Sequence, residues 1–172
     1  METITITSGI FKGRRLKTPG KGTHPMGSRE KIALFNMLTP YLKNAYVLDA
    51  FAGSGALGLE AISRGAKSIT FLETSKKASA IIKENMISLG FNANTPINAS
   101  TDFAPDVAFD IIIADPPYDA FDLKTIIPLV DFLDTDGILA LSHPGDAPTI
   151  PGLDLLKTKK YARCHLSIYQ KA

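Results

Sequence analysis

Tryptophan is absent from this chain of 172 residues, and cysteine occurs once, at Cys164. A lone thiol forms no internal disulfide, which excludes a disulfide-stapled scaffold. The three histidines, His24, His143 and His165, are scattered without ligand spacing, so no metal is expected. Long apolar runs are missing too. The best, Ile111–Ala114 and Ile138–Leu141, are strand-sized, far below the ~18–20 residues a membrane span needs. The start, Met1-Glu2-Thr3-Ile4-Thr5-Ile6-Thr7, has no basic segment followed by a long apolar one, as a secretory signal would. Internal repeats and low-complexity tracts are lacking as well, which argues against a solenoid. What remains is ordinary globular composition, 45% hydrophobic and 21% charged, at the length of one domain. The expectation is a soluble cytoplasmic protein without a membrane partner.

The net charge of +2 conceals a segregation. Residues 1–44 carry eight Lys/Arg against Glu2 and Glu30; residues 45–154 carry six basic and fifteen acidic side chains; residues 155–172 carry five basic and none acidic. Two basic ends flanking an acidic middle suggest that the ends meet a polyanion.

The alternation Thr3–Thr7 reads as a strand, turned at Ser8-Gly9 and continued over Arg14–Thr18. A breaker-rich loop follows through Pro19-Gly20-Lys21-Gly22 and His24-Pro25. Ile32, Phe35, Leu38 and Leu42 predict a helix over about residues 29–43 with Ser28 as its N-cap. Strands are then expected at 46–49, 68–72, 94–98, 109–114 and 137–141. Helices are expected over 56–63, from a cap near Ser75 to Gly90, and around Leu123–Leu133. The tail, 153–157 and 165–169, reads as an antiparallel pair at a sheet edge. Strands alternating with helices give a doubly wound α/β layer, a mostly parallel sheet with helices on both faces. Ligands bind such sheets at the carboxyl ends of the strands, where the strand order reverses.

At the first of those ends stands Asp49-Ala50-Phe51-Ala52-Gly53-Ser54-Gly55-Ala56-Leu57-Gly58, with Glu73 closing the next strand. Gly53, Gly55 and Gly58 satisfy G-x-G-x-x-G, the dinucleotide fingerprint. A dinucleotide, however, would lay its pyrophosphate at the helix N-terminus, beside the Asp49 carboxylate. Like charges there cost on the order of one to several kcal/mol at an effective dielectric near 20. S-adenosylmethionine reverses the sign: its amine and sulfonium are cationic and its adenosine neutral. Asp49 attracts the methionine end, Glu73 accepts the ribose hydroxyls, and the glycines permit close backbone approach.

The strand Phe109–Ala114 delivers Asp115-Pro116-Pro117-Tyr118. The prolines remove two donors and fix φ near −65°. The Asp115 carboxylate and the Pro116 carbonyl become a stiff pair of acceptors, suited to gripping the two N–H bonds of an exocyclic amine. Tyr118 offers a flat face for stacking the ring, at about 1–3 kcal/mol. The same acceptors would serve adenine N6, cytosine N4, guanine N2 or a glutamine amide.

Asp49–Gly58, Glu73 and Asp115–Tyr118 together look like the motifs of class I S-adenosylmethionine-dependent amino-methyltransferases. Gly9-x-x-Lys12-Gly13-Arg14-Arg15-Leu16 and Ala33-Leu34-Phe35-Asn36 narrow the likeness. End to end, the chain resembles the RsmD family, bacterial enzymes that methylate the exocyclic N2 of one guanine in 16S ribosomal RNA. The resemblance implies a seven-stranded sheet whose last strand is antiparallel, and an N-terminal β-hairpin for RNA. Residues 1–28 would form the basic hairpin and loop, and residues 29–172 the methyltransferase domain. Asp115, Pro116, Pro117 and Tyr118 would be catalytic. Asp49, Phe51, Ala52, Gly53, Gly55, Gly58, Glu73 and Thr74 would hold the cofactor. Ser100, Thr101 and Asp102 follow the third strand, where such folds contact adenine, and the choice among them stays open. Lys12, Arg14, Arg15, Lys17 and Arg29 would grip RNA phosphates, which positions RNA without reading its sequence. Lys157, Lys159, Lys160 and Arg163 serve equally as an extension of that track or as edge-strand protection. The partner would be 16S rRNA, naked or within a 30S subunit or assembly intermediate, and a monomer is expected. His24-Pro25-Met26-Gly27 replaces the Arg-Pro-Thr stretch usual in the family.

Cys164 reads as a packed thiol. His143 reads as structural or cleft-lining, and Phe51 and Phe121 as pocket or core. Two other function classes compete. One is a nicotinamide oxidoreductase using the same glycine loop, although only about thirty residues follow the last parallel strand, too few for a second substrate domain. The other is a non-catalytic RNA-binding assembly factor.

Overall fold

In the computed structural model, which describes residues 2–20, 26–91, 97–98 and 103–172, the strands of the acidic middle and the tail form one sheet. Its members are β3 (Tyr46–Asp49), β4 (Ser68–Leu72), β5 (Ile97–Asn98), β6 (Phe109–Ala114), β7 (Leu133–His143), β8 (Leu153–Lys160) and β9 (His165–Lys171). Their order is β5-β4-β3-β6-β7-β9-β8, and β9 alone runs against the rest. The chain leaves β3 toward β4 and β5, then returns to the other side of β3 as β6. The order therefore reverses between β3 and β6, and the carboxyl ends of these two strands are where such sheets bind ligands.

Period-two packing assigns the faces. Val47, Ile111, Ile113, Ile138 and Ala140 belong to one core with α1 (Ser28–Leu42), α2 (Ala56–Ser63) and α3 (Lys76–Ser88). Leu48, Ile112, Ala114, Leu139 and Leu141 belong to a second core with Ile126, Leu129 and Val130. Fully burying each Leu or Ile contributes roughly 1.5–3 kcal/mol. The two-stranded hairpin β1 (Thr3–Thr5) and β2 (Arg15–Lys17) pairs antiparallel, Ile4 opposite Leu16. Ile6 and Leu16 are fully buried in the first core, so the hairpin packs against the same hydrophobic mass as the helices.

Three local expectations need correction. Ser28 does not cap α1: it is the first helical residue, Gly27 takes the cap position, and no side chain among the described residues caps it. The helix expected over 123–133 is one α-turn, α4 (Leu123–Ile126), followed by 3-10 turns to Phe132. Pro128 removes a donor there, and Leu133 already belongs to β7. Strand β7 itself outruns the expected 137–141 at both ends, since Leu133 pairs with Phe109 and His143 with His165. Residues 94–96 of the expected third strand, and the loop residues Lys21–Pro25, lie outside the described residues. No helix among the described residues is long and apolar enough to cross a membrane.

Candidate active site

Asp49 ends β3 on the α1 face and is 1% exposed. Its Oδ2 accepts the Gly58 amide at 2.9 Å, whereas Oδ1 is buried without a hydrogen-bond partner among the described residues. Burial pushes the Asp49 pKa up to about 7, against the opposing Gly58 hydrogen bond, and the charges of Asp115 and Glu73 add to the rise. A buried carboxylate oxygen left unpaired is costly, unless a donor arrives from outside the chain.

The loop that follows turns on Gly55, whose φ of +76° opens helix α2 in the left-handed region. Gly58 is fixed by packing: a Cβ there would stand 2.5 Å from Phe71 Cε1 on β4. The Gly53 amide donates to Glu73 Oε2 at 2.7 Å, and Glu73 Oε1 accepts from Ser75 at 2.7 Å. Glu73 thus clamps the glycine loop to the end of β4. Each of its oxygens keeps lone-pair capacity for a further donor. Asn85 on α3 reaches the same loop, donating to Ser54 O at 2.9 Å and to Lys17 O at 3.0 Å, so loop and hairpin share one anchor.

Of the other expected cofactor residues, Ala52 is buried and its amide donates to Leu72 O at 3.2 Å. Phe51 packs partly buried against the second core, and Thr74 is exposed. Ser100, Thr101 and Asp102 lie outside the described residues.

Across the switch point, Asp115 follows β6 on the same face as Asp49, since Ile113 belongs to the α1-side core. Burial pushes its pKa up to about 6, opposed by the Ser142 and Tyr118 hydroxyls beside it. Pro116 is buried and Pro117 exposed. The Pro117 carbonyl accepts from Ala120 at 3.2 Å, whereas that of Pro116 takes no hydrogen bond among the described residues. Tyr118 is half-buried, its ring against the first core and its hydroxyl turned inward, donating to Asp115 Oδ1 at 3.3 Å. The same hydroxyl is hydrogen-bonded to Ser142. Burial and the Asp115 charge hold the phenol in its neutral form.

Sequence reasoning missed Ser142. It directly follows the apolar run Ile138–Leu141, at the carboxyl end of β7, and that position was signal enough. Cys164 is buried beside Tyr118 and Ser142, and burial raises its pKa, so the thiol stays protonated. His143 is fully buried with Nε2 on Ser167 Oγ at 2.8 Å, on the second-core face with Phe121. Among the described residues no cluster of His, Cys, Asp or Glu could hold a metal ion.

The basic residues divide. Lys12, Arg15 and Arg29 are exposed and make no ion pair among the described residues. Lys17 pairs with Glu84 at 2.7 Å, both half-exposed, and Arg14 donates to Ser88 O at the end of α3. Lys31, part of the basic N-terminal count, is fully buried instead. Its ammonium donates to Thr5 O at 2.7 Å and lies 3.3 Å from Glu60. Lys160 faces Asp146 at 3.4 Å on the exposed edge, and Lys171 donates to Val130 O and Leu133 O at 3.0 and 2.7 Å.

Comparison with known proteins follows the same lines. Ribosomal RNA small subunit methyltransferase D of Haemophilus influenzae is 34% identical over 180 residues, covering 97% of this chain and 93% of the relative. The Escherichia coli protein of the same description is 36% identical over 132 residues, 74% of this chain and 67% of the relative. The solved structure of Escherichia coli yhhF superposes with a TM-score of 0.84 at 32% identity, covering 99% of this chain and 98% of that one. A family model described as conserved hypothetical protein 95 matches residues 4–170, and the chain belongs to that family, the RsmD methyltransferases.

Proposed function

We infer that this protein is an S-adenosylmethionine-dependent rRNA methyltransferase whose acceptor is the exocyclic N2 of a guanine in small-subunit rRNA. The observation that carries the reading is a pair of carboxyl groups flanking the strand-order switch. Asp49 keeps one buried oxygen unpaired among the described residues, beside the glycine loop, and Asp115 directly follows the adjacent strand, with a rigid peptide oxygen after it. The names of the relatives support rRNA as the substrate.

The residues fit the cofactor. The orphaned Asp49 Oδ1 matches an ammonium, for which a pyrophosphate would be the wrong sign. Glu73 presents two oxygens with remaining acceptor capacity for ribose hydroxyls. When bound, the cofactor supplies a methyl group made electrophilic by its sulfonium. The chain's own groups do the rest. Asp115 and the Pro116 carbonyl accept the two N–H bonds of the amine, leaving the nitrogen lone pair free to face the methyl group. A hydrogen bond to a charged acceptor contributes roughly 1.5–3 kcal/mol, and positioning supplies several more. The positive charge developing on nitrogen is stabilised by the Asp115 carboxylate. With its pKa pushed up to about 6, Asp115 also takes up the released proton and returns it to water above that pH. Lys12, Arg15 and Arg29 hold the RNA backbone as exposed cations. The chain acts as a monomer on 16S rRNA, naked or within a 30S particle.

The test is methyl transfer from labelled cofactor to small-subunit rRNA and to assembled subunits, followed by mass spectrometry of the rRNA nucleosides. N2-methylguanosine is expected. A methylated adenosine or cytidine would displace guanine N2, and incorporation nowhere in the rRNA would sink the reading.

A further inference from the structure

Ser142 is a buried hydroxyl at the reacting edge, 1% exposed at the end of β7. The parallel ladder pairs Ala114 with Leu141, so the next residues, Asp115 and Ser142, stand side by side on one face. The Ser142 hydroxyl is hydrogen-bonded to that of Tyr118, and Tyr118 donates to Asp115 Oδ1 at 3.3 Å. A phenol has one proton. With that proton directed at the carboxylate, Ser142 is the donor in the bond to Tyr118, and both hydroxyl protons run toward Asp115.

We propose that Ser142 is a positioning residue for methyl transfer: acting with the Tyr118 hydroxyl, it aims the Asp115 carboxylate at the incoming amine and holds the tyrosine ring beside it. The inference rests on the reading of Asp115 as the amine acceptor. It assigns the tyrosine hydroxyl a function distinct from stacking. The same two hydroxyls oppose the burial that pushes Asp115 upward. The titratable groups facing this cluster are Asp49 from β3, Tyr118 itself, and Cys164 ahead of β9, with Glu30 of α1 facing Cys164. Cys164 and Tyr118 are held neutral, so Asp49 is the group whose titration overlaps that of Asp115.

The experiment compares wild type, Ser142→Ala, Ser142→Thr, Tyr118→Phe and the Ser142→Ala/Tyr118→Phe double variant. Single-turnover methyl transfer to small-subunit rRNA is followed from about pH 5 to about pH 9. Separately, the carboxyl carbon-13 titration of Asp115 is read by NMR without substrate, assigned with Asp115→Asn and separated from Asp49 with Asp49→Asn. Ser142→Ala and Tyr118→Phe are each expected to move the acid limb, and the Asp115 titration, upward by about one pH unit. Ser142→Thr restores both, and the double variant moves no further than the larger single. Cofactor affinity, read by calorimetry at pH 8, stays within about twofold of wild type in Ser142→Ala, as a local effect requires. Ser142→Ala curves that superimpose on wild type in both readouts would overturn the proposal. Should wild type transfer no methyl group, the functional reading fails, and the NMR titration still decides whether Ser142 governs Asp115.

Discussion

Glu60 and Asp49 are both buried carboxyl groups of the α1-side core, and they have opposite fates. Glu60 accepts from Thr7 N at 2.8 Å, Thr7 Oγ1 at 2.6 Å, Ser8 N at 3.1 Å and Arg64 Nε at 2.8 Å, with Lys31 3.3 Å away. Those donors overcome its burial and hold its pKa below the usual carboxylate range. Asp49 has one backbone amide and an idle oxygen, and its pKa rises to about 7. Burial is common to the two, so the number of donors decides the outcome. A satisfied carboxylate builds the protein; a starved one waits for a cation.

Breaking the satisfied cluster should have the largest effect on folding. Glu60→Leu leaves the Lys31 ammonium buried without its partner, a loss of about 3–5 kcal/mol in urea denaturation. Adding Lys31→Met to it should recover part of that loss, since the uncompensated charge is then gone.

The starved pair should respond in function. Asp115→Ala is expected to slow methyl transfer by about a hundredfold or more while leaving cofactor affinity within about threefold, as read by labelled transfer and calorimetry. Asp49 is expected to set the affinity itself. As pH falls through about 7, Asp49 takes a proton and loses its attraction for a cationic ligand, so cofactor binding should weaken toward acid pH. Asp49→Asn should bind weakly at pH 8 and lose that pH dependence.

The smallest and most discriminating effect is on stability against pH. Asp49 has a folded pKa above its unfolded value of 3.8, so its contribution to stability is present below that value and is lost as pH rises toward about 7. Glu60, whose folded pKa is lowered from 4.5, contributes stability above that value, lost as pH falls through its folded pKa. Without cofactor, Asp49→Asn should therefore melt higher than wild type at pH 8 and not at pH 4, by calorimetric scan. An unchanged melting temperature at pH 8 would show that the idle oxygen is not starved after all.

Much of this was legible in the chain. The strands Tyr46–Asp49 and Phe109–Ala114 were marked by short apolar runs, and the proposed site lies at their carboxyl ends. The glycines and Glu73 were readable because local spacing fixes a loop against a neighbouring strand. The apolar spacing around Pro128 suggests one helix, yet the missing donor of the proline prevails. Ser142 and Lys31 were less legible because their roles depend on neighbours distant in sequence. Ser142 acquires Tyr118 and Asp115 only through the β6–β7 register, and Lys31 acquires Glu60 only when α1 packs on α2. A lysine counts as surface charge until a buried carboxylate claims it.

Helix α2 joins two functions along one short rod. Its first turn emerges from the glycine loop, and its last turns carry Glu60 and Ser63, which fasten Thr7, Ser8 and Phe11 of the hairpin. Eight helical residues span about 12 Å, and a helix neither stretches nor bends easily over that length. Asn85 fastens the hairpin's other strand directly to the glycine loop. On the proposed function, a phosphate gripped by the hairpin would therefore be held at a set distance from the methyl donor. A molecule so built would work as a caliper, selecting its nucleotide by how far that base lies from a gripped backbone and only secondarily by the letters in between.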